Sequence, residues 1–442
     1  MHAPLVVLGG GPGGYAAAFM AADLGMEVTL VEKDTRLGGT CLLRGCIPSK
    51  ALLHVGRVVA EVREMQDWGV HFSAPKIDID AVRSRKEKVI GDLTGGLAQL
   101  AKRRNVQIVQ GQAIFTASNA IEVIQKDSGS QTLTFEHCIL ASGSRPARIP
   151  AFDIGSSRVM DSTAALQLED VPDSLLVIGG GYIGLEMGTV YAELGSRVSV
   201  VELTDGLLPG ADRDLVKPLH KRLKGLFEAI RLNTKVVGLK ETGNGVEVSF
   251  EGPDGETTET FSRVLVAVGR RPNSDGMGLE NTNVVVDSKG FVEVDKQQRT
   301  GDSHILAIGD VCGEPMLAHR ASHQGKVAVE SLHGEPAMFD PRAIPAVVFT
   351  DPEIAWAGLT EQEAELSGRE IEISRYPWAA SGRAHALGRT EGMTKILVDP
   401  ETEQVLGVGI VGSGAGELIA EGALAIEVGC TARDLSETIH PH

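Results

Sequence analysis

Residues 4–34 read PLVVLGGGPGGYAAAFMAADLGMEVTLVEKD. An apolar run leads into Gly9-x-Gly11-x-x-Gly14, an alanine-rich helical stretch, and a second apolar run closing on Glu32. Each part has a reason if the segment is a strand, turn, helix and strand that receives a dinucleotide. Gly9 permits the tight turn, Gly11 lets a pyrophosphate approach the backbone, and Gly14 lets helix and strand pack closely. The helix N-terminus then offers amide donors and the positive end of its dipole. Glu32, 18 residues after Gly14, falls where a carboxylate accepts from an adenosine ribose.

The pattern repeats at 174–203, SLLVIGGGYIGLEMGTVYAELGSRVSVVEL, with Gly179, Gly181 and Gly184, and with Glu202 again 18 residues after the last glycine. The second fingerprint starts 170 residues after the first, too far to be the other half of one dinucleotide fold. Two nucleotide sites in two domains are therefore expected. An acid at the second ribose position favours NAD, because a 2′-phosphate calls for arginine. Arg197 precedes that strand and reads as a solvated residue. CILASGSRP (138–146) and VLVAVGRRPN (264–273) share an apolar strand, a small-residue turn and an Arg-Pro exit. They mark the crossings between the nucleotide domains, with Ser142, Gly143 and Gly269 in turns that approach the cofactors. HILAIGDV (304–311) is another buried strand, and its Asp310 sits where such sheets hold their ligands. A helix opening near Ala318 faces the same crevice.

The chain has 442 residues, more than one core supports, so several domains are expected. Its 42 basic and 59 acidic residues leave a net charge of −17, which argues against nucleic acid or an anionic membrane as the main partner. No apolar run approaches the ~18 residues of a spanning helix. MHAPLVVLGGG enters a strand at once, so no signal or transit peptide is expected. Five cysteines do not make a secreted disulfide scaffold, and a cytoplasmic α/β protein is expected.

Cys41 and Cys46 lie in GGTCLLRGCIPSK (38–50). Zinc wants a second ligand pair, and Cys138, Cys312 and Cys430 are scattered through apolar or turn segments, where they read as buried small hydrophobes. No metal is expected. A staple closing so short a loop removes little chain entropy. A redox dithiol remains. Five residues of regular helix advance ~7.5 Å, and cysteines whose Cα atoms are beyond about 7 Å cannot bridge. The helix must therefore be distorted, by Gly45 and by Pro48, which has no amide for the carbonyl of Arg44.

Taken together, GGTCLLRGCIPSK, the two fingerprints, ILASGSRP and AIGDV resemble the pyridine nucleotide–disulfide oxidoreductases, from the first strand to the last residue. The resemblance implies an α/β fold with two Rossmann-like dinucleotide-binding domains and a C-terminal α+β dimerisation domain. On that basis the FAD-binding domain spans 1–145, the NAD-binding domain 146–270, a central segment completing the FAD site 271–338, and the interface domain 339–442. The homodimer would oxidise dihydrolipoamide, free or on a lipoyl protein. It could serve a 2-oxoacid dehydrogenase or glycine cleavage complex. Cys41 would exchange with the substrate, and Cys46 would lie against the flavin. Lys50 matches the lysine beside the reactive flavin nitrogen, Glu186 its carboxylate partner, Asp310 the ribitol ligand and Ala318 the start of the helix facing the flavin. Leu43 departs from the family's asparagine, and Tyr182 stands where a ring can gate the nicotinamide. A mercuric reductase would need a second cysteine pair near its C-terminus, and the sequence has none. Two alternatives stand beside this: another NAD(P)H-dependent flavin disulfide reductase, or a non-catalytic redox-sensing flavoprotein.

From about residue 341 the pattern becomes strands and helices, with apolar positions Leu418, Ile419, Ala423, Leu424 and Ile426 on the last long helix. TIHPH follows. His440 and His442 match the family's two histidines, which makes His442 the expected acid–base residue, acting on the other subunit's disulfide. The family's glutamate, five residues further on, lies past His442, so a longer active chain is expected.

Overall fold

Strand His2–Leu8, helix Pro12–Asp23 and strand Val28–Glu32 realise the first fingerprint. The second becomes strand Ser174–Ile178, helix Tyr182–Leu194 and strand Arg197–Val201. The computed structural model describes residues 1–125, 129–253 and 255–442. They divide into two units. One comprises Met1–Pro48, Ser84–Ala147 and Arg270–Asp340, the other Ser49–Arg83, Arg148–Gly269 and Pro341–His442.

In the first unit the strands run Gln107–Gln110, Val28–Glu32, His2–Leu8, Gly129–Leu140 and Ile305–Ala307, all parallel. Buried on both faces, they need apolar side chains throughout, and Leu5, Val6, Val7, Leu30, Ile139 and Leu140 are all fully inaccessible. Gly129–Leu140 also pairs antiparallel with Ala120–Gln125, which extends the sheet as a meander. Helices Pro12–Asp23 and Ala318–His333 meet at a glycine contact, where a Cβ on Gly325 would stand 2.7 Å from the carbonyl oxygen of Gly13. The two crossing segments lie side by side, Ser144–Pro146 pairing antiparallel with Arg270–Pro272.

In the second unit a parallel sheet runs Ala229–Arg231, Arg197–Val201, Ser174–Ile178, Arg263–Val266 and Val159–Met160. An antiparallel ribbon of three strands, Lys235–Thr242, Gly245–Gly252 and Gly255–Phe261, packs Phe250 and Phe261 against it. The C-terminal layer is a five-stranded antiparallel sheet covered on one face by helix Ala415–Val428. Ser49–Arg83 also belongs to this unit, although a linear reading places it inside 1–145. Leu52 and Leu53 join the same core as Leu185 and Val190 of the second fingerprint helix. Among the described residues no helix is long and apolar enough to cross a membrane.

Candidate active site

The first glycine turn is tight because it must be. Gly9 has φ +108°, and a Cβ there would sit 2.3 Å from the carbonyl oxygen of Ala141. A Cβ on Gly14 would stand 1.7 Å from the oxygen of Gly9, so helix and strand touch through their backbones. Gly11 is less confined, the nearest atom to a Cβ there being Gly39 Cα in van der Waals contact at 3.8 Å. The helix that follows has no side-chain cap, which leaves its first-turn amides to an outside acceptor. Glu32 is buried, and its carboxylate accepts from the backbone of Gly10 (2.6 Å) and of Asp34 (2.9 Å). The acid therefore also braces the turn, a role its spacing did not reveal. Burial pushes its carboxyl up, and the amide of Gly10 pulls it part of the way back.

The other predicted residues of this unit gather at the same sheet edge. Ser142 donates to the carbonyl of Asn273 (2.8 Å), whose side chain donates back to Ser142 O (2.9 Å), and Gly143 turns at φ +69°. Asp310 accepts from Ser144 Oγ at 2.5 Å, and that serine also accepts from Arg270 Nε at 2.8 Å. Ala318 begins helix Ala318–His333, again without a side-chain cap, and Gln324 of that helix accepts from the amide of Gly309 (2.8 Å). Ser144, Arg270, Asn273 and Gln324 escaped the sequence reading because their partners are remote in the chain.

The helix carrying the cysteines does break where expected. Cys41 lies in helix Gly39–Arg44, the chain leaves helical geometry at Gly45 (φ −148°, ψ −110°), and Cys46 opens helix Cys46–Glu64. Pro48 occupies the first turn of that second helix, where an amide has no intrahelical acceptor to lose. Cys41 is half-buried and Cys46 exposed. Burial, and behind it the neighbouring Cys41 and Cys46, push the phenol of Tyr15 up. Tyr15, on the first fingerprint helix, is a neighbour of the pair that the sequence reading did not name. Cys138 is wholly buried as expected, while Cys312 and Cys430 keep some surface, Cys312 packed against the first unit's core.

In the second unit Gly179 turns at φ +111°, and a Cβ on Gly184 would lie 2.2 Å from the oxygen of Gly179. Gly181 meets nothing within 4 Å, and its helix too lacks a side-chain cap. Glu202 repeats the brace, accepting from Gly180 (2.7 Å) and Thr204 (2.9 Å). Tyr182, at the helix start, is exposed, and Gly269 turns at φ +113°. Arg197 is exposed and spent on Glu228 at 3.0 Å. Lys50 meets Glu186, which is 4% exposed, through both carboxylate oxygens at 3.0 and 3.1 Å. Ser49 donates to the same carboxylate at 2.7 Å, and the amide of Phe349 at 3.1 Å. His440 is paired with Glu421 at 2.6 Å, a hydrogen bond that holds its imidazole above the usual range, while His442 is exposed at the end of the chain.

Residues 3–325 match the family model for pyridine nucleotide-disulphide oxidoreductase, and 344–442 match that family's dimerisation domain. The chain belongs to the pyridine nucleotide-disulphide oxidoreductases. It is 49% identical to a dihydrolipoyl dehydrogenase of Vibrio cholerae, over 100% of this chain and 93% of that one. With its Bacillus subtilis counterpart it shares 45%, over 99% and 93%. The crystal structure of LpdA from Mycobacterium tuberculosis superposes with a TM-score of 0.92 at 28% identity, covering 100% of this chain and 96% of that one. The HOCl-induced flavoprotein disulfide reductase RclA from Escherichia coli gives 0.88 at 28%, covering 99% and 96%.

As a pyridine nucleotide-disulphide oxidoreductase the protein works with FAD and NAD. Its residues fit both. Gly11 and Gly181 each precede an uncapped helix, and the turn before each is braced by a buried glutamate that accepts from Gly10 or Gly180.

Proposed function

We propose that the protein oxidises dihydrolipoamide, free or carried on a lipoyl protein, with NAD. The observation that carries this reading is a cysteine pair split by a helix break, in a chain with two glycine fingerprints and end-to-end likeness to dihydrolipoyl dehydrogenases. The net reaction turns a dithiol and NAD⁺ into a disulfide, NADH and one proton. FAD, when bound, supplies the two-electron relay between sulfur and nicotinamide.

In this reading Cys41 and Cys46 form the disulfide that the substrate attacks. A substrate thiolate bonds to Cys41 and displaces Cys46. The second substrate thiol then displaces Cys41, leaving the substrate oxidised and the protein pair reduced. His442 takes the substrate's thiol proton, acting on the second subunit's disulfide. Lys50, held by Glu186, supplies fixed positive charge beside the flavin-binding side of the cysteine helix. Asp310 would hold the ribitol, and the uncapped start of the Ala318–His333 helix would favour negative charge on the ring. NAD rather than NADP is the acceptor, because Glu202 occupies the ribose position and Arg197 is paired with Glu228. The protein acts as a homodimer, as its dimerisation domain supports, and supplies oxidised lipoyl groups to a 2-oxoacid dehydrogenase or glycine cleavage complex.

The test is Cys46→Ser assayed with dihydrolipoamide and NAD. Turnover should be lost, and unchanged turnover overturns the dithiol reading. A higher specificity constant for NADP than for NAD would overturn the assignment at Glu202.

A further inference from the structure

Phe349 touches the Lys50–Glu186 pair twice. Its backbone amide donates to Glu186 Oε1 at 3.1 Å, and its ring centroid stands 4.2 Å from Lys50 Nζ. The same carboxylate accepts from Lys50 through both oxygens and from Ser49 Oγ through Oε2. Glu186 is therefore fixed from three segments: the cysteine helix, its own fingerprint helix and the end of strand Ala346–Val348.

The ammonium is in a different position. A lysine head is a point charge on a four-carbon stem, and a carboxylate beside it leaves it free to swing about the axis joining them. The side chain of Lys50 is 32% exposed, so it is not closed in on every side. The ring face removes that freedom. Its negative quadrupole attracts the cation from a second direction and excludes water there.

We propose that Phe349 is a positioning residue for Lys50. Its amide fixes the carboxylate and its ring face fixes the ammonium, so the open side of Lys50 is presented in one direction to negative charge on the bound flavin. This rests on the reading above that Lys50 is the residue beside the reactive flavin nitrogen. Simple packing would need only an apolar side chain of similar volume, whereas this role needs a ring.

The holoenzyme is compared with Phe349→Leu, Phe349→Tyr, Lys50→Met and the Phe349→Leu/Lys50→Met double variant. Protons on the ε-carbon of Lys50, bonded to the ammonium that stands over the ring, should show an upfield ring-current shift by NMR. That shift should persist in Phe349→Tyr and vanish in Phe349→Leu. The rate of flavin reduction by dihydrolipoamide should fall about twofold to thirtyfold in Phe349→Leu, the range the attraction of a ring for a cation corresponds to. It should recover in Phe349→Tyr, and in the double variant it should match Lys50→Met alone. If Phe349→Leu fails to bind FAD, Phe349→Met keeps the volume without the ring and takes its place. If Lys50→Met leaves flavin reduction and the flavin spectrum unchanged, the placement of Lys50 is wrong, whatever the NMR contact shows. If Lys50→Met is impaired but Phe349→Leu behaves as wild type, or the two losses simply add, Phe349 is packing only and the proposal is overturned.

Discussion

At the scale of single residues, Ser49 and Glu186 show what local pattern cannot reveal. They are 137 residues apart, and Phe349 is 163 from Glu186, so no spacing rule joins them. Gly14 and Gly184 were legible because their constraint lies within one turn. Ser49→Ala removes a hydrogen bond to a buried carboxylate and should lower stability by about 1.5–3 kcal/mol, read by chemical denaturation of the FAD-loaded protein. A loss near zero would show that solvent reaches Glu186 and replaces the hydroxyl. The thiols separate in the same way. Burial pushes Cys138 and Cys312 far up, so alkylation of the reduced protein at neutral pH should modify Cys41 or Cys46 and spare those two, as peptide mass mapping would report.

Among the elements, the helix break at Gly45 was readable from glycine and proline, but the buried Lys395 was not. It lies mid-strand in Met393–Val398, is 0% exposed, and donates to Asp212 (2.6 Å), Asp214 (2.7 Å) and Glu361 (2.7 Å). Asp212 also accepts from the amide of Glu361 at 3.1 Å, so one ammonium ties together the starts of helices Arg213–Leu226 and Glu361–Ser367. Lys395→Met leaves buried Asp212 without its cation and Asp214 and Glu361 with Arg375 alone, and should cost about 3–5 kcal/mol. Burial opposes the charge on Asp214, but the hydrogen bonds from Lys395 and Arg375 prevail and hold it below the usual range. Its contribution is therefore full above the ordinary aspartate range and lost as pH falls through its own lower value. Burial likewise opposes the charge of Lys395, its three carboxylates outweigh that, and the raised ammonium loses its contribution only as pH rises through the raised value. Thermal melting against pH should show a plateau between those limits, with a weaker acid-side dependence in Lys395→Met. An identical acid limb in the variant would remove Asp214 from the account. The fingerprints are separable too. Because a Cβ on Gly184 would lie 2.2 Å from the oxygen of Gly179, Gly184→Ala should lose NADH binding by fluorescence titration while the flavin absorbance of the purified protein remains.

Across the whole molecule, composition and repeated motifs made the two nucleotide folds legible, whereas the fate of the last long helix was only half legible. Leu418, Ile419, Ala423, Leu424 and Ile426 read as one apolar set. Ile419 and Ile426 are buried against the helix's own sheet, but Leu418 and Leu424 are 49% and 62% exposed, with Val428 at 63%. Periodicity marks apolar faces without saying whether the same chain covers them. We propose that a second copy covers those outward leucines of the dimerisation domain, so Leu424→Glu should lower the mass in light scattering while flavin content per chain holds. An unchanged mass would place the interface elsewhere. The claim on which everything else depends is that Cys41 and Cys46 exchange electrons with the flavin. Anaerobic titration of the FAD-loaded protein with dihydrolipoamide, followed by absorption spectroscopy, tests it most directly. A long-wavelength thiolate–flavin band should grow in at the two-electron stage and be absent in Cys46→Ser titrated in the same way, whereas direct bleaching of the flavin in the unmodified protein would contradict the account.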